Sequence, residues 1–359
     1  MKYYSLQNIL TKNAHYNVIF GERSNGKSYS VEELAIKKFA KNGEQMGLIR
    51  RWQDDFTGKR GTTLFDPLVA NGVVSKATKG EWTGVYYYGS RWYFCRYEDG
   101  KRIIHDIPFA FGFSISSMEH DKSTAYPKIT TVLFDEFLTR TIYLQDEFVL
   151  FMNVLSTIIR NRKNVTIFMC GNTVNKYCPY FKEMGLTHAR DMKPGTIDVY
   201  HYGESELTVA VEYVLPNKNG KDSDVYFAFD NPKLSMITGG TWEIDVYPHC
   251  PVKFRPKDIV FTYFIEFSGD LLQCEIVNCE DMLFTFIHRK TTELKDIEHD
   301  LIFTPEFSPR PNYRRKITKP TNEIERKIAD FYIKDKVFYS DNEVGEIVRN
   351  YLIFCGKSV

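Results

Sequence analysis

The 359 residues carry no excess of charge of either sign: 47 Lys and Arg stand against 46 Asp and Glu, a formal net charge of +1. A bulk electrostatic grip on nucleic acid is thereby excluded, and any contact with a phosphate backbone must come from local patches. The seven cysteines, at 95, 170, 178, 250, 274, 279 and 355, include no CxxC pair, which argues against a zinc site or a disulfide framework and points to a reducing, cytosolic compartment. No apolar run is long enough to span a bilayer, and the first residues, with Gln7, Asn8, Lys12 and Asn13, lack the apolar core of a signal peptide. A chain of this length suggests two domains, each able to bury a core.

What the sequence does contain is Gly21-Glu22-Arg23-Ser24-Asn25-Gly26-Lys27-Ser28, every fixed position of a phosphate-binding loop. It lies between an apolar strand, Asn17-Val18-Ile19-Phe20, and a helical pattern with Val31, Leu34, Ala35 and Phe39 at helical spacing. Glycines at 21 and 26 let backbone N–H groups turn toward an anion, and the helix N-terminus adds its positive dipole end. A triphosphate, ATP, is the expected guest, with Lys27 on the β- and γ-phosphates and Ser28 completing the coordination of Mg2+.

The apolar strand Thr130-Thr131-Val132-Leu133-Phe134 ends in Asp135-Glu136-Phe137. A carboxylate at a strand end can simply cap a helix. Downstream of a phosphate loop the acidic pair reads instead as a magnesium-side residue, Asp135, followed by the general base Glu136, and hydrolysis is the expected reaction. A helical pattern over residues 147–159 leads into Arg160-Asn161-Arg162-Lys163, and a third buried strand from Val165 ends at Gly171-Asn172. Asn172 reads either as a γ-phosphate sensor or as a turn residue.

These pieces resemble the DNA-encapsidation ATPases of small podoviruses, the Picovirinae type. The resemblance rests on the loop from Gly21 to Tyr29, on Ala125-Tyr126-Pro127 ahead of Phe134-Asp135-Glu136-Phe137, on Ile159-Arg160-Asn161-Arg162, and on Asn172 followed by Cys178-Pro179-Tyr180-Phe181. It is specific over residues 15–185 and diffuse beyond. It implies a homo-oligomeric, pentameric ring motor in the host cytoplasm. Transiently docked on the viral prohead, the ring would drive double-stranded DNA through the portal, and the sequence leaves open whether a scaffold RNA takes part. It also implies a site shared between subunits. Arg160 would be an arginine finger for the neighbour, with Arg162 the alternative, although a basic residue there can also cap a helix through its dipole. Lys122 matches a second basic position reaching across the interface, where a solvated surface lysine is the plainer reading. Arg50 and Arg51 also match family positions, with nucleotide contact, interface pairing and a strand-end salt bridge all open.

The expected fold class is α/β: an ASCE-type P-loop NTPase domain with a mostly parallel sheet over residues 1–203, a linker over 204–252, and a smaller RNase H-like α/β domain over 253–359. Within the first lies a β-rich insert, about 57–102, where alternation around Gly89-Ser90 predicts a hairpin. The RNase H-like reading rests on two hairpin strands near 259–277, another near 282–287, and helices over 322–332 and 342–354. In the resembled family this domain is a non-cutting relic, and the acids Glu266, Asp270, Glu275 and Asp281 would have to converge for a two-metal nuclease to operate. The basic run Arg310, Arg314, Arg315, Lys316 and Lys319 is a candidate nucleic-acid or portal contact, or a solvated connector. A helicase-like or nuclease-coupled DNA-dependent ATPase is the rival class, distinguished by strand separation or cutting without a capsid.

Overall fold

A computed structural model describes residues 4–120, 124–216, 242–294 and 296–356. Lys122 and residues 217–241 of the expected linker lie outside the described residues. The chain divides into two units, Met1–Glu243 and Ile244–Val359.

In the first unit, α1 (Gln7–Leu10) precedes β1 (Tyr16–Gly21), α2 (Lys27–Asn42) and β2 (Gln45–Arg50). The insert follows as α3 (Gly58–Thr63), α4 (Asp66–Ala70), α5 (Val73–Ala77), β3 (Gly84–Tyr88), β4 (Arg91–Glu98) and β5 (Lys101–Ile104). Then come β6 (Ala110–Ser114), β7 (Ile129–Asp135), α6 (Glu147–Ile159), β8 (Thr166–Asn172), α7 (Pro179–Glu183), β9 (Thr196–His201) and β10 (Thr208–Tyr213). Among the described residues the sheet runs β3-β4-β6-β2-β7-β8-β1-β10-β9, with β5 paired to β4. The six strands from β6 to β10 in that order are mutually parallel, and β8 is the additional strand between the phosphate-loop strand and the strand ending in Asp135.

Period-2 alternation builds the two faces. Val18 and Phe20 of β1, Ile49 of β2 and Val132 and Phe134 of β7 join Phe151, Val154, Leu155 and Ile158 of α6 in one core. Ile19, Met46, Leu48 and Leu133 point the other way, onto Val31, Ala35, Ile36 and Phe39 of α2. Strands buried on both sides are what a parallel sheet with helices on each face requires.

Two expectations are corrected. The insert is helical over its first half: Pro67 sits in the first turn of α4, Gly72 at φ +70° starts α5, and Phe65, Leu68, Val73 and Val74 bury under β4. The hairpin appears only after it, with β3 against β4 and Trp92 fully buried, its indole N–H donating to Gly61 O at 2.8 Å. A Cβ on Gly61 would come within 2.5 Å of Phe56 O and 2.6 Å of the Tyr87 ring, so no larger residue fits there. The expected linker is also not all linker. β10 pairs in parallel with β1, contributing Val209 and Val211 to one core and Ala210 to the other. Without it, the apolar strand carrying the phosphate loop would be left half-paired.

In the second unit, β11 (Ile259–Phe267), β12 (Asp270–Cys279) and β13 (Met282–Arg289) form an antiparallel meander. Short parallel strands flank it: β14 (Ile302–Phe303) and β15 (Tyr313–Arg314) on one side, β16 (Val337–Tyr339) on the other. Helices α8 (Glu323–Ile333) and α9 (Asn342–Phe354) each begin under a side-chain cap, Asn322 accepting from the Glu325 N–H and Asp341 from the Val344 N–H, both at 2.9 Å. The unit starts earlier than expected: Tyr247 already belongs to it, its hydroxyl donating to Glu346 Oε2 at 2.7 Å.

Candidate active site

The C-terminal ends of parallel strands, where helix N-termini and loops gather, are where a ligand binds in such a sheet. β1 ends at Gly21, and Gly26 at φ +87° turns the chain into α2, a backbone position that suits glycine. Lys27 is buried, and its ammonium donates to Glu22 O at 2.6 Å, Asn25 Oδ1 at 3.1 Å and Asn172 Oδ1 at 3.3 Å. Burial pushes its pKa down to about 8 against the opposing pull of Asp135 and Glu22. The Cys170 thiol beside it is driven well up by burial, so it supplies no thiolate at neutral pH.

A consequence for binding follows. The cost of burying this cation is carried below pH about 8 and is relieved as pH climbs from there toward the ordinary 10.5. A phosphate on Lys27 would need the charged form, so binding one above pH about 8 would draw in a proton. Affinity for ATP is expected to fall by up to about tenfold per pH unit beyond that point. A Kd series from pH 7 to 9.5 checks this, and a flat profile would contradict it.

At the next residue, Ser28 Oγ donates to Asp135 Oδ1 of β7 at 2.5 Å. Arg50, at the end of β2, bridges the acidic pair: its guanidinium lies 2.5 Å from Asp135 Oδ2 and 3.0 Å from Glu136 Oε2. Asp135 is enclosed, whereas the Glu136 side chain is 62% exposed, and Glu136 leaves the strand with φ +60°. Glu32, on the same face of α2 as Ser28, is buried beside them. Burial first, and the Asp135 charge second, lift its pKa to about 8 despite Arg50, so it keeps its proton at neutral pH. A hydroxyl and a carboxylate already in contact are hard oxygen donors that suit Mg2+. Asn25 Nδ2 and Arg50 Nε are buried donors with no acceptor among the described residues, which suits an anion at this end of the sheet.

Of the other expected site residues, Asn172 ends β8 opposite Gly21 and touches Lys27. Glu22 is buried, with its carbonyl on Lys27, and Ser24 adopts φ +59° within the loop. Arg23 points outward, 3.7 Å from Glu243 Oε1. Arg160 is elsewhere. It caps α6 at φ +43°, is exposed, and donates to Thr124 O at 2.9 Å, near the start of β7 rather than its end. Arg162 spends its guanidinium on the carbonyls of Tyr126, Pro127, Ile129, Ile158 and Ile159, which makes it a clasp between α6 and β7 and removes it as the alternative finger.

The profile of the podovirus DNA encapsidation protein (Gp16) family matches residues 1–214, from before the phosphate loop to the end of β10. The chain belongs to this family. The DNA packaging protein of Bacillus phage phi29 is 30% identical over 270 residues, covering 74% of this chain and 73% of that one, and the Bacillus phage B103 protein is 30% identical over 256 residues, covering 70% and 71%. In fold, this chain is similar to the Phi-28 gp11 DNA packaging motor, with TM-score 0.53, 16% identity and 99% of both chains covered. It is similar also to a chain of the bacteriophage Phi-29 genome packaging motor assembly, with TM-score 0.52, 19% identity, and 97% of this chain and 96% of that one covered.

Sequence reasoning left Glu32 and Glu147 without a role. Glu32 carried a faint signal, a carboxylate one turn after Ser28 beside apolar Val31, Ala35 and Ile36. In the second unit, no three His, Cys, Asp or Glu side chains converge as a metal site among the described residues. Asp270 pairs with Arg289 at 2.5 Å, Glu275 accepts from Gln273 at 2.6 Å, and Glu266 is exposed on β11. In the basic run, Arg314 is committed to the buried Glu325 at 2.6 Å, and Arg315 lies over the Phe354 ring. No helix among the described residues is long and apolar enough to cross a membrane.

Proposed function

We propose that this protein is an ATP-driven motor that packages viral double-stranded DNA into a prohead through the portal, acting in the host cell as a homo-oligomeric ring whose ATP sites are shared between neighbours. The observation that carries the reading is the meeting of Lys27, Ser28, Asp135, Glu136 and Asn172 at one end of three adjacent strands. Family membership supplies the context in which that chemistry moves DNA.

The roles follow from position and charge. Loop N–H groups and Lys27 bind the phosphates. Ser28 and Asp135 would hold Mg2+, whose contribution when bound is to neutralise charge on the β- and γ-phosphate oxygens. Glu136 takes the proton of the attacking water as the bond from the γ-phosphorus to the bridging oxygen breaks, after giving up its pairing with Arg50. Asn172, already on Lys27, senses the γ-phosphate. Arg160 supplies positive charge to the next subunit's site, a role supported by its position at the opposite end of the sheet from its own Asp135. The second unit, whose acids are dispersed or paired, is read as non-cutting.

The test is ATP hydrolysis by the purified chain with and without double-stranded DNA, beside Lys27→Ala. Turnover that rises with DNA and vanishes in Lys27→Ala is the expected result. Equal turnover in both proteins, or strand separation or cutting in the absence of proheads, would overturn the reading.

A further inference from the structure

Arg51 follows Arg50 in the chain, yet it serves a different set of groups. Its side chain is 7% exposed and Glu147 is fully buried, the two meeting in a two-point contact: Nε to Oε2 at 2.8 Å and Nη2 to Oε1 at 2.9 Å. The guanidinium has donors left over, and they go to the backbone of the catalytic segment, Phe137 O at 2.9 Å and Glu136 O at 3.3 Å. Tyr143 lies 5.1 Å from the guanidinium, and the Tyr180 hydroxyl donates to Glu147 Oε1 at 2.8 Å, so the pair is closed on every side by protein.

Both ends of this contact sit at informative places. Glu136 holds φ +60°, a left-handed conformation that a residue with a side chain keeps only where its surroundings impose it. The two carbonyls taken by Arg51 are those of Glu136 itself and of the next residue. Glu147 is the first residue of α6, whose far end is Arg160. The helix is 13 residues long, about 20 Å at 1.5 Å per residue, and it packs by one stripe of Phe151, Val154, Leu155 and Ile158. The helix is held at both ends, at Glu147 by Arg51 and at Ile158 and Ile159 by Arg162, so it joins the two places as one rod. A displacement of the peptide that Arg51 holds would carry Glu147 with it, because separating the buried pair would strand two charges without water.

We propose that the Arg51–Glu147 pair is a positioning device that ties the peptide of Glu136 to α6 and through it to Arg160, so that the state of one ATP site sets the finger offered to the next subunit. The inference rests on the roles given above to Glu136 and Arg160. It makes Arg51 and Glu147 positioning residues in both directions, for the base of their own subunit and for the site of the neighbour.

Charge-keeping variants test it. Arg51→Lys keeps the cation and loses the two-point contact with the carbonyl bonds. Its kcat, counted per bound nucleotide, is expected to fall at least about tenfold while KM for ATP stays within about twofold. Subunit mixing then separates the two directions. The control mixture of Glu136→Gln with Arg160→Ala is expected to regain turnover, whereas Arg51→Lys mixed with either partner is not. Recovery of Arg51→Lys with Arg160→Ala to the control level would show a sound finger and overturn the link through α6. Wild-type turnover by Arg51→Lys alone would overturn positioning altogether. Failure of the control mixture would remove the shared site itself, a separate and recognisable result. If Arg51→Lys fails to bind nucleotide, Glu147→Asp replaces it, withdrawing the carboxylate by one methylene with the charge kept. Loss of binding in both variants would make the pair a folding element and sink the proposal.

Discussion

On the proposed ring-motor reading, Arg160→Ala by itself is expected to hydrolyse ATP at about one-thousandth of the wild-type rate or less, the scale on which a missing arginine finger slows phosphoryl transfer. Rings of Glu136→Gln alone should lose about two to four orders of magnitude, the span attributed to a positioned general base. Neither defect should be complete in a mixture. In a head-to-tail ring, about a quarter of randomly formed interfaces join an intact base on one side to an intact finger on the other, so an equal mixture should regain turnover far above the sum of its parts. The reason is geometric. α6 returns antiparallel to the strands, which leaves Arg160 beside Thr124 at the start of β7, whereas Asp135 stands at its end. Seven strand residues separate the two levels by about 20 Å at 3.3 Å per residue, more than a guanidinium can span. Steady-state hydrolysis by each variant and by the mixture is the measurement. Near-normal turnover by Arg160→Ala alone would end the shared-site reading.

Glu147→Ala is expected to destabilise the first unit by about 3–5 kcal/mol, the cost typical of removing one partner from a buried ion pair. Three groups lose their acceptor at once: Arg51, the Tyr180 hydroxyl, and the Leu144 N–H, which donates to Glu147 Oε2 at 2.7 Å. Arg51 would keep its two carbonyl acceptors but no counter-charge, in a pocket closed by Tyr143 and Tyr180. Denaturant unfolding followed by a probe in the first unit reads the effect, and a loss under about 1 kcal/mol would mean that water reaches the site and hydrates the stranded guanidinium.

Local pattern sufficed wherever the physics is local. The phosphate loop, the alternation of β7 with its terminal Asp135-Glu136, and the helical spacing of residues 147–159 all report backbone requirements that neighbours in sequence satisfy, and α6 spans Glu147–Ile159 as that spacing predicts. The three short helices of the insert escaped because each is only five or six residues long and is held by burial under β4 more than by its own periodicity. β10 escaped because a single short strand after a turn-rich stretch gives no sign that its partner lies nearly two hundred residues earlier at β1.

The sequence alone therefore determined that residues 21–28 form the turn opening α2 and that Asp135 and Glu136 come at the end of β7, since a loop, a strand end and a helix start are set within a few consecutive residues. Only the tertiary structure decided the rest: that Arg162 is spent on five backbone carbonyls while Arg160 stands exposed, that Arg50 and Arg51 divide between Glu136 and Glu147, and that Glu32 keeps its proton. Those outcomes depend on burial and on which charges are brought within a few ångströms, and packing of the sheet brings together residues 96 positions apart, as Arg51 and Glu147 are, and 145 apart, as Lys27 and Asn172 are.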